Sequence, residues 1–187
     1  MKRLLMAVAC AAMFVSCAQK SEDTGVELMK TEDFQAVVDG KETSLYTLKA
    51  GDLVMQVTDF GGRVVSLWTP DKDGKYEDVV LGYNNIDSYI NNKGERFLGA
   101  VVGPYANRIA AGTYTIGGET YNFPQNNNGQ TLHGGLKGLD MVVWDVESVN
   151  DSSIVLSYLH ADGQEGMPGN LKIVMTYALS SDNEFKV

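Results

Sequence analysis

The chain has 187 residues, with 15 basic and 24 acidic side chains and a formal net charge of -9. At roughly 100–200 residues per domain, this length allows one domain and argues against two. The acidic balance argues against nucleic acid as a partner, because phosphate backbones are bound by basic patches. The two cysteines, Cys10 and Cys17, both lie near the N-terminus, so the body has no disulfide framework.

The N-terminal residues have the pattern of a lipoprotein signal peptide. Lys2 and Arg3 form a positive region, and residues 4–15 are a mostly apolar run. This run suits a secretory signal and is too short to span a membrane as a helix. The small residue Ser16 precedes Cys17, which resembles a bacterial lipobox, whose cysteine becomes the lipidated first residue of the mature chain. The alternative is an ordinary cleaved signal peptide with an incidental cysteine.

This pattern predicts a protein that is anchored through a lipid at its N-terminus. Residues 1–16 are the predicted signal peptide, and Cys17 is the predicted lipidation site. Residues 17–32 are polar and acidic, which predicts a flexible tether. Residues 33–187 are predicted to form the folded domain. We therefore expect the protein in the cell envelope of a Gram-negative bacterium, in the periplasm or at the outer membrane.

The body of the chain has the alternation of apolar and polar residues that is typical of β-strands. It recurs at residues 53–58, 63–68 and 171–179, and no long segment has a helical period. Gly117-Gly118 predicts a two-residue hairpin between residues 113–116 and 119–123. A second hairpin is predicted between residues 142–149 and 153–159. Many short antiparallel strands predict an all-β fold, a sandwich or a barrel.

Two further elements are predicted outside these strands. A helical turn is expected at residues 86–90, with Asp87 as its cap. Residues 180–183 predict a turn, and residues 184–187 begin another strand. A sheet that finishes on so short a strand leaves the preceding strand largely uncovered. We therefore expect the sandwich to be truncated at the C-terminal end of this sequence.

The segment 103–109 is the first candidate for a functional loop. It places the amide of Asn107 beside the guanidinium of Arg108, directly after an apolar run. Arginine offers a planar fork of donors and asparagine offers both a donor and an acceptor, a combination that suits the neighbouring hydroxyls of a sugar. The alternative is an arginine paired with an acidic neighbour, next to an asparagine in a turn.

Two more loops carry polar side chains among glycines. His133 is followed by two glycines, which let a ligand approach the backbone closely and leave the imidazole accessible. A lone histidine is more often structural than catalytic, and no other ligand at suitable spacing predicts a metal site. Residues 162–170 contain two carboxylates but lack the ligand order of a calcium-binding EF-hand. They predict a tight loop between strands.

Taken in order, these stretches resemble the aldose 1-epimerase (galactose mutarotase) family over residues 34–187. The individual motifs are weak, and their order and spacing make the set specific. Met167 stands where an aromatic residue is common in the family. The matching segments are Gly61-Gly62-Arg63, Val80-Leu81-Gly82-Tyr83, residues 103–109, Gly112-Thr113-Tyr114, Leu132-His133-Gly134-Gly135, Trp144 and residues 162–171.

The resemblance implies the large antiparallel β-sandwich, or supersandwich, of mutarotase-like proteins and the interconversion of the α and β anomers of aldohexoses. In the family a glutamate base deprotonates the anomeric hydroxyl and a histidine acid protonates the ring oxygen, without a metal or other cofactor. By this resemblance Asn107 and Arg108 match the substrate-binding pair, and His133 matches a histidine that bonds the sugar near its ring oxygen.

The motifs of the acid histidine and the base glutamate are not found in these 187 residues. By the resemblance both motifs are expected beyond Val187, so no catalytic residue is predicted in this sequence. Glu165 and Glu184 do not lie in the base's motif, and His160 is interpreted as incidental. The leading hypothesis is therefore the N-terminal part of a lipoprotein aldose 1-epimerase, inactive by itself. The alternatives are a non-catalytic sugar-binding module and a scaffold lipoprotein that shares only the fold. The sequence gives no oligomeric state.

Overall fold

The computed structural model describes residues 25–91 and 94–187. The predicted signal peptide, the predicted lipidation site Cys17 and the first part of the predicted tether lie outside the described residues. Within the described ranges, no helix combines the length and the apolar composition that crossing a membrane would need.

The described chain is built mainly from short strands. One α-helix, α1, spans Ile86–Ile90, and single 3-10 turns lie at Thr31–Phe34, Ala110–Gly112, Leu139–Met141 and Gln164–Gly166. The strands are β1 (Val37–Val38), β2 (Lys41–Glu42), β3 (Leu45–Ala50), β4 (Leu53–Thr58), β5 (Arg63–Pro70), β6 (Tyr76–Asp78), β7 (Arg108–Ile109), β8 (Thr113–Ile116), β9 (Glu119–Asn122), β10 (Thr131–Leu132), β11 (Asp145–Val149), β12 (Ser153–His160), β13 (Leu171–Leu179) and β14 (Phe185–Lys186).

Two four-stranded antiparallel sheets form the frame of the molecule. The first has the order β3-β4-β5-β6 and the second the order β11-β12-β13-β14, so neighbours in each sheet are also neighbours in sequence. Strands β12 and β13 pair continuously from Ser153 opposite Ala178 to His160 opposite Leu171. Each sheet is thus a simple meander, as the closely spaced predicted strands and turns suggest.

One hydrophobic core lies between the two sheets. Alternation along the strands turns Leu48 and Met55 of the first sheet, and Ile154 and Leu156 of the second, toward the same buried cluster. Trp144 joins this cluster and is 1% exposed. Two antiparallel sheets that share a core form a β-sandwich, which confirms the predicted all-β fold class.

The N-terminal part of the described chain docks on the first sheet before residue 33, the predicted start of the domain. The side-chain amide of Gln56 accepts a hydrogen bond from the backbone N–H of Met29 (2.9 Å) and donates one to its carbonyl (3.0 Å). Phe34 is fully buried in a second apolar cluster that contains Tyr89 of α1. The hydrogen bonds of Met29 and the burial of Phe34 hold this segment against the sheet, whereas the polar composition of residues 17–32 predicted a flexible tether.

The structure corrects the predicted cap of the helix. Helix α1 lies where it was expected, but its N-cap is Asn85, whose side-chain oxygen accepts a hydrogen bond from the N–H of Ser88 at 2.9 Å. An N-cap side chain bonds the second or third helical amide, which places the cap just outside the helix. Asp87 lies inside the first turn, so the prediction that it is the cap was wrong.

The predicted hairpins are confirmed, with ends that differ by one residue in β9 and β12 and a later start of β11. Strands β8 and β9 pair around Gly117-Gly118, and β11 pairs with β12. Strand β11 begins at Asp145 and not at residue 142, because residues 142–144 bond to residues 59–61: the N–H of Gly61 donates to the carbonyl of Val142 (2.8 Å) and that of Trp144 to the carbonyl of Asp59 (3.0 Å). The predicted turn and short strand after β13 are present, as β14.

Candidate functional site

The candidate site residues lie in the segment that connects the two sheets. Strands β7 and β10 pair antiparallel, with Arg108 opposite Leu132 and Ile109 opposite Thr131. This short ladder brings the residues just before β7 beside those just after β10. Asn107 and His133 therefore become neighbours although 26 positions separate them in sequence.

Reciprocal hydrogen bonds lock Asn107 to His133. The N–H of Asn107 donates to Nδ1 of His133 at 2.9 Å, and the N–H of His133 donates to the carbonyl of Asn107 at 3.0 Å. Because Nδ1 accepts a hydrogen bond, the neutral imidazole carries its proton on Nε2. The Phe97 ring meets the imidazole edge-on, with the ring centroids 4.6 Å apart. The histidine is thereby fixed as a hydrogen-bond donor at Nε2.

Arg108 is held by amides. Its Nε donates to Oδ1 of Asn127 at 3.2 Å, and its Nη1 donates to Oδ1 of Asn107 at 3.3 Å. Within the described part of the chain, no acidic side chain forms an ion pair with Arg108, which argues against the alternative of an arginine paired with an acidic neighbour. The Arg108 side chain is exposed. The structure thus brings Asn107, Arg108 and His133 together in one donor cluster, in which Asn107 and Arg108 are exposed and His133 is half-buried.

Glycines allow the two loops of the site to touch through their backbones. Gly134 has a φ of +87°, and a Cβ built on it would lie 1.9 Å from the carbonyl oxygen of Gly103. That same oxygen accepts a hydrogen bond from the N–H of Leu139 at 3.1 Å. Only glycine fits both the positive φ and the close approach. The Gly134 that the sequence placed after His133 is therefore required by the packing of the two loops.

A group of buried charged side chains packs against these loops, and it was not predicted from the sequence. Arg63 is fully buried, and its guanidinium donates to the carbonyls of Arg96 (2.9 Å), Leu98 (2.9 Å) and Asp140 (2.8 Å). The Asp140 carboxylate accepts Nε of Arg96 at 2.7 Å and its Nη2 at 3.0 Å. The signal in the sequence was Arg63 itself, a charged residue at the start of an apolar strand.

Burial and charge oppose each other in this group, which we call the Arg63–Asp140–Arg96 cluster. Burial lowers the pKa of the Arg63 guanidinium, and the nearby Asp140 carboxylate raises it again. The Arg63 guanidinium also lies 4.9 Å from the centre of the Tyr89 ring, a favourable cation–π distance. The cluster joins β5 to the segment around residue 96, which carries Phe97. It also joins β5 to the segment around residue 140, which ends the loop of residues 133–140, here called the His133 loop.

The loop at residues 162–170 is the tight connection between β12 and β13 that the sequence predicts. Asn170 Oδ1 accepts a hydrogen bond from the N–H of Asp162 at 2.9 Å, which closes the loop. His160, at the end of β12, is 1% exposed, and burial lowers its pKa. Its Nε2 is buried without a hydrogen-bond partner among the described residues, and it bonds none of the three candidate residues. His160 is therefore separate from the donor cluster.

The expected position of the acid and base motifs, beyond Val187, stays a prediction. Val187 directly follows β14 and is 82% exposed. Among the described residues, the groups that hydrogen-bond Nδ1 of His133 and the guanidinium of Arg108 are backbone and side-chain amides. Neither a carboxylate nor His160 joins them. As far as the structure describes it, the donor cluster is therefore oriented by amide groups.

Among the residues that the structure describes, no three His, Cys, Asp or Glu side chains converge closely enough to hold a metal ion. The donor cluster combines uncharged polar groups with one guanidinium, that of Arg108. Its donors and acceptors are amide, imidazole and guanidinium groups, which match the hydroxyls and ether oxygen of a sugar ring.

Comparison with known proteins identifies the family. The family model described as aldose 1-epimerase matches residues 44–187, more than half of the chain. The chain belongs to the aldose 1-epimerase family. The matched range contains Asn107, Arg108 and His133, together with the Arg63–Asp140–Arg96 cluster.

Individual relatives and solved structures agree with this membership. The chain is 36% identical over 140 residues to a galactose mutarotase of Rattus norvegicus, covering 75% of this chain and 40% of the relative. It is 35% identical over 151 residues to an aldose 1-epimerase of Escherichia coli K12, covering 80% and 43%. The crystal structure of an aldose epimerase homologue from C. elegans superposes with a TM-score of 0.72 at 32% identity, covering 76% of this chain and 44% of that one. The chain thus spans about two fifths of these relatives.

Proposed function

We propose that this chain is the sugar-holding part of an aldose 1-epimerase, which interconverts the α and β anomers of aldohexoses such as galactose and glucose. Asn107, Arg108 and His133 are the proposed substrate-binding residues. The observation that carries the proposal is their convergence, within the range matched by the family model, into one donor cluster around the fixed imidazole.

The proposed roles follow from the hydrogen-bonding capacity of each group. His133 presents Nε2–H as a donor, which suits the ring oxygen of a pyranose, an acceptor with no proton of its own. Arg108 offers the rest of its fork to sugar hydroxyls, and Nε and Nη1 are already oriented by Asn127 and Asn107. A hydrogen bond from the positive guanidinium is stronger than one between neutral groups. The cluster is thus built to hold a sugar ring in one orientation.

Anomer interconversion needs an acid and a base in addition to these donors. A base takes the proton of the anomeric hydroxyl, an acid protonates the ring oxygen, the ring opens, and closure on the other face gives the second anomer. The 187 residues contain two histidines, His133 and His160. The proposed role of His133 is to donate a hydrogen bond without transferring its proton. His160 is buried and is separate from the donor cluster. We therefore propose that these 187 residues bind the sugar without accelerating its mutarotation.

Galactose binding tests the proposed site. A titration followed by amide NMR is expected to shift the resonances of Asn107 and His133 in the wild-type chain. R108A is expected to weaken the affinity by about tenfold or more, the loss that follows removal of a charge-assisted hydrogen bond. K172A, which removes an exposed positive charge from β13, is the control and should bind like wild type. Unchanged affinity in R108A would favour the alternative of a scaffold that shares only the fold.

Polarimetry of freshly dissolved α-glucose tests the second half of the proposal. The chain is expected to leave the rate of mutarotation at the buffer value, because an acid and a base are missing from the donor cluster. A rate well above buffer would contradict this. Galactose affinity without rate enhancement is also what a non-catalytic carbohydrate-binding protein would give.

We also propose that the protein is a lipoprotein of a Gram-negative cell envelope, periplasmic or at the outer membrane, anchored through Cys17. The support is the positive pair Lys2 and Arg3, the apolar run that follows and the small residue before the cysteine. Metabolic labelling with a palmitate analogue is expected to mark the wild-type protein and not C17S. Equal labelling of both proteins, or recovery of the wild type in the cytoplasmic fraction, would contradict the proposal.

A further inference from the structure

The loop between β12 and β13 reaches the His133 loop through one side chain. Oε2 of Glu165 accepts a hydrogen bond from the backbone N–H of Leu136 at 2.7 Å. The carbonyl of the same residue, Leu136, accepts Nη2 of Arg96 at 3.1 Å. The peptide groups of Leu136, three residues after His133, are therefore held on one side by an anion and on the other by a cation.

The backbone on both sides of this contact has the conformation that the contact requires. Glu165 has a φ of +50°, a left-handed conformation that is uncommon for a residue with a side chain. Gly135 has a φ of +97°, which favours glycine, and a Cβ there would lie 2.3 Å from Oε2 of Glu165, so a side chain at this position would displace the carboxylate. Non-glycine residues in this region cost energy and persist where the surroundings demand them. A carboxylate in this unusual conformation, facing a glycine, indicates that the contact is specific.

The same loop also supports the other half of the donor cluster. Met167 is buried with Ile109 and Phe123 in a small apolar cluster, and Ile109 directly follows Arg108. A Cβ on Gly166 would lie 2.2 Å from the carbonyl oxygen of Asn122, so the loop also lies against the end of β9. Residues 165–167 therefore contact both segments that meet at the Asn107–His133 hydrogen bonds.

We propose that Glu165 is a positioning residue of the sugar site, which holds the His133 loop in register with Asn107 and Arg108 by accepting the Leu136 N–H. This inference rests on the proposed function for the site itself. Glu165 is not assigned as the reacting base, because its carboxylate is engaged with the backbone. Its action on the sugar runs through His133, since the Leu136 contact fixes the end of the loop that carries the imidazole.

A second side chain, that of Asn126, also holds the His133 loop. Asn126 holds the other side, accepting from the N–H of Leu132 at 2.7 Å and donating to the carbonyls of Leu132 (3.0 Å) and Gly135 (2.7 Å). These three hydrogen bonds end at residue 135. The carbonyl of Gly135 and the N–H of Leu136 belong to one peptide group, which Asn126 therefore holds at its oxygen and Glu165 at its nitrogen. Removal of the Glu165 carboxylate is expected to loosen this peptide group and the end of the loop, while the Asn126 hydrogen bonds to Leu132 keep the start in place.

The experiment compares two changes at Glu165 in the 187-residue chain. E165Q keeps an oxygen that can accept the Leu136 N–H, and E165G removes the acceptor while relieving the positive φ. E165N, whose shorter side chain tolerates a positive φ, replaces E165G if the glycine variant does not fold. E119Q, at an exposed position of the β8–β9 hairpin, is the control for loss of charge. Galactose affinity and the melting temperature are measured for each.

The positioning role predicts a separation between affinity and stability. E165G is expected to bind galactose about tenfold more weakly, with E165Q within about threefold of wild type and E119Q unchanged. The melting temperatures should stay close together, because E165G loses a hydrogen bond but also loses the unfavourable φ. Affinity in E165G equal to that of wild type would overturn the inference. Equal losses in E165G and E165Q would also overturn it, because E165Q retains the acceptor.

A second measurement decides the inference without any sugar. Nitrogen-15 NMR of the His133 imidazole reports whether the proton of the neutral ring is on Nε2, as the Asn107 hydrogen bond requires. E165G is expected to shift the ring toward a mixture of tautomers, and E165Q is not. An unchanged imidazole spectrum in E165G would overturn the inference. If the wild-type chain binds no galactose, the proposed function fails, and this spectrum alone then decides the role of Glu165.

Discussion

The substitution D140N is the most demanding test of the support beneath the site. Asp140 is fully buried, and its carboxylate accepts two hydrogen bonds from Arg96 at 2.7 and 3.0 Å. The guanidinium of the equally buried Arg63 lies 3.8 Å from the same carboxylate. Asparagine keeps nearly the same shape but removes the negative charge, so two cations are left near each other without an anion.

The magnitude follows from the burial of the pair. Removing one partner of a buried ion pair costs about 3–5 kcal/mol, because the charge that remains is uncompensated in a medium of low dielectric. A surface pair contributes only about 0–1 kcal/mol. Asp145 forms such a pair with Lys41 at 2.6 Å, with the Asp145 side chain 61% exposed. The same chemical change at Asp145, D145N, is therefore a matched control for D140N.

Urea unfolding followed by tryptophan fluorescence measures this difference. Trp144 is a reporter beside the cluster, because its indole N–H donates to the carbonyl of Leu139 at 3.1 Å. With an m value of about 2 kcal/mol/M, the midpoint for D140N should fall by about 1.5–2.5 M. The midpoint for D145N should fall by less than about 0.5 M. Equal midpoints in the two variants would refute the reasoning that burial makes the Asp140 charge essential.

Two further predictions concern single positions. G134A should lose at least about 2 kcal/mol of stability in urea unfolding, because its Cβ would clash with the Gly103 carbonyl. The control is G117A, at a glycine that also has a positive φ but has open space around it. An equal loss of stability in G117A would contradict the clash as the cause. Burial raises the pKa of Asp59 to about 6, against the opposing hydrogen bond from the N–H of Ser44. Its contribution to stability is full below its unfolded pKa near 3.8 and is lost as the pH rises through about 6. Wild type should therefore lose about 2–2.5 kcal/mol relative to D59N between pH 4 and pH 7.5 in urea unfolding, and parallel pH profiles would exclude this cause.

The strands could be predicted from the sequence because their signals are local. Alternation over residues 171–179 and the Gly117-Gly118 turn each depend on a few neighbouring residues, and both elements formed as expected. The prediction of Asp87 as the N-cap of α1 was wrong because aspartate and asparagine are both favourable N-cap residues. The choice between them depends on which residue lies just outside the helix.

The support beneath the site could not be predicted in the same way. Arg63 and Asp140 are 77 positions apart, and their burial depends on the docking of the two sheets. The role proposed for Glu165 likewise depends on a contact with Leu136 across 29 positions. A resemblance to a family transferred roles only to residues in recognisable motifs. The residues that hold those motifs in place appear only when the tertiary structure is known.

The arrangement of the two sheets has a consequence for the order of folding. Each sheet is a meander of consecutive strands, so its hairpins close short loops, which are fast and entropically inexpensive steps. We expect the docking of the sheets to be the slow step, because it forms contacts between distant residues, such as the hydrogen bond from the hydroxyl of Tyr177 to the carbonyl of Gly62 across 115 positions. The donor cluster lies on the segment between the sheets, so we expect it to form last during folding. Newly made protein would therefore bind no sugar until both sheets are in place.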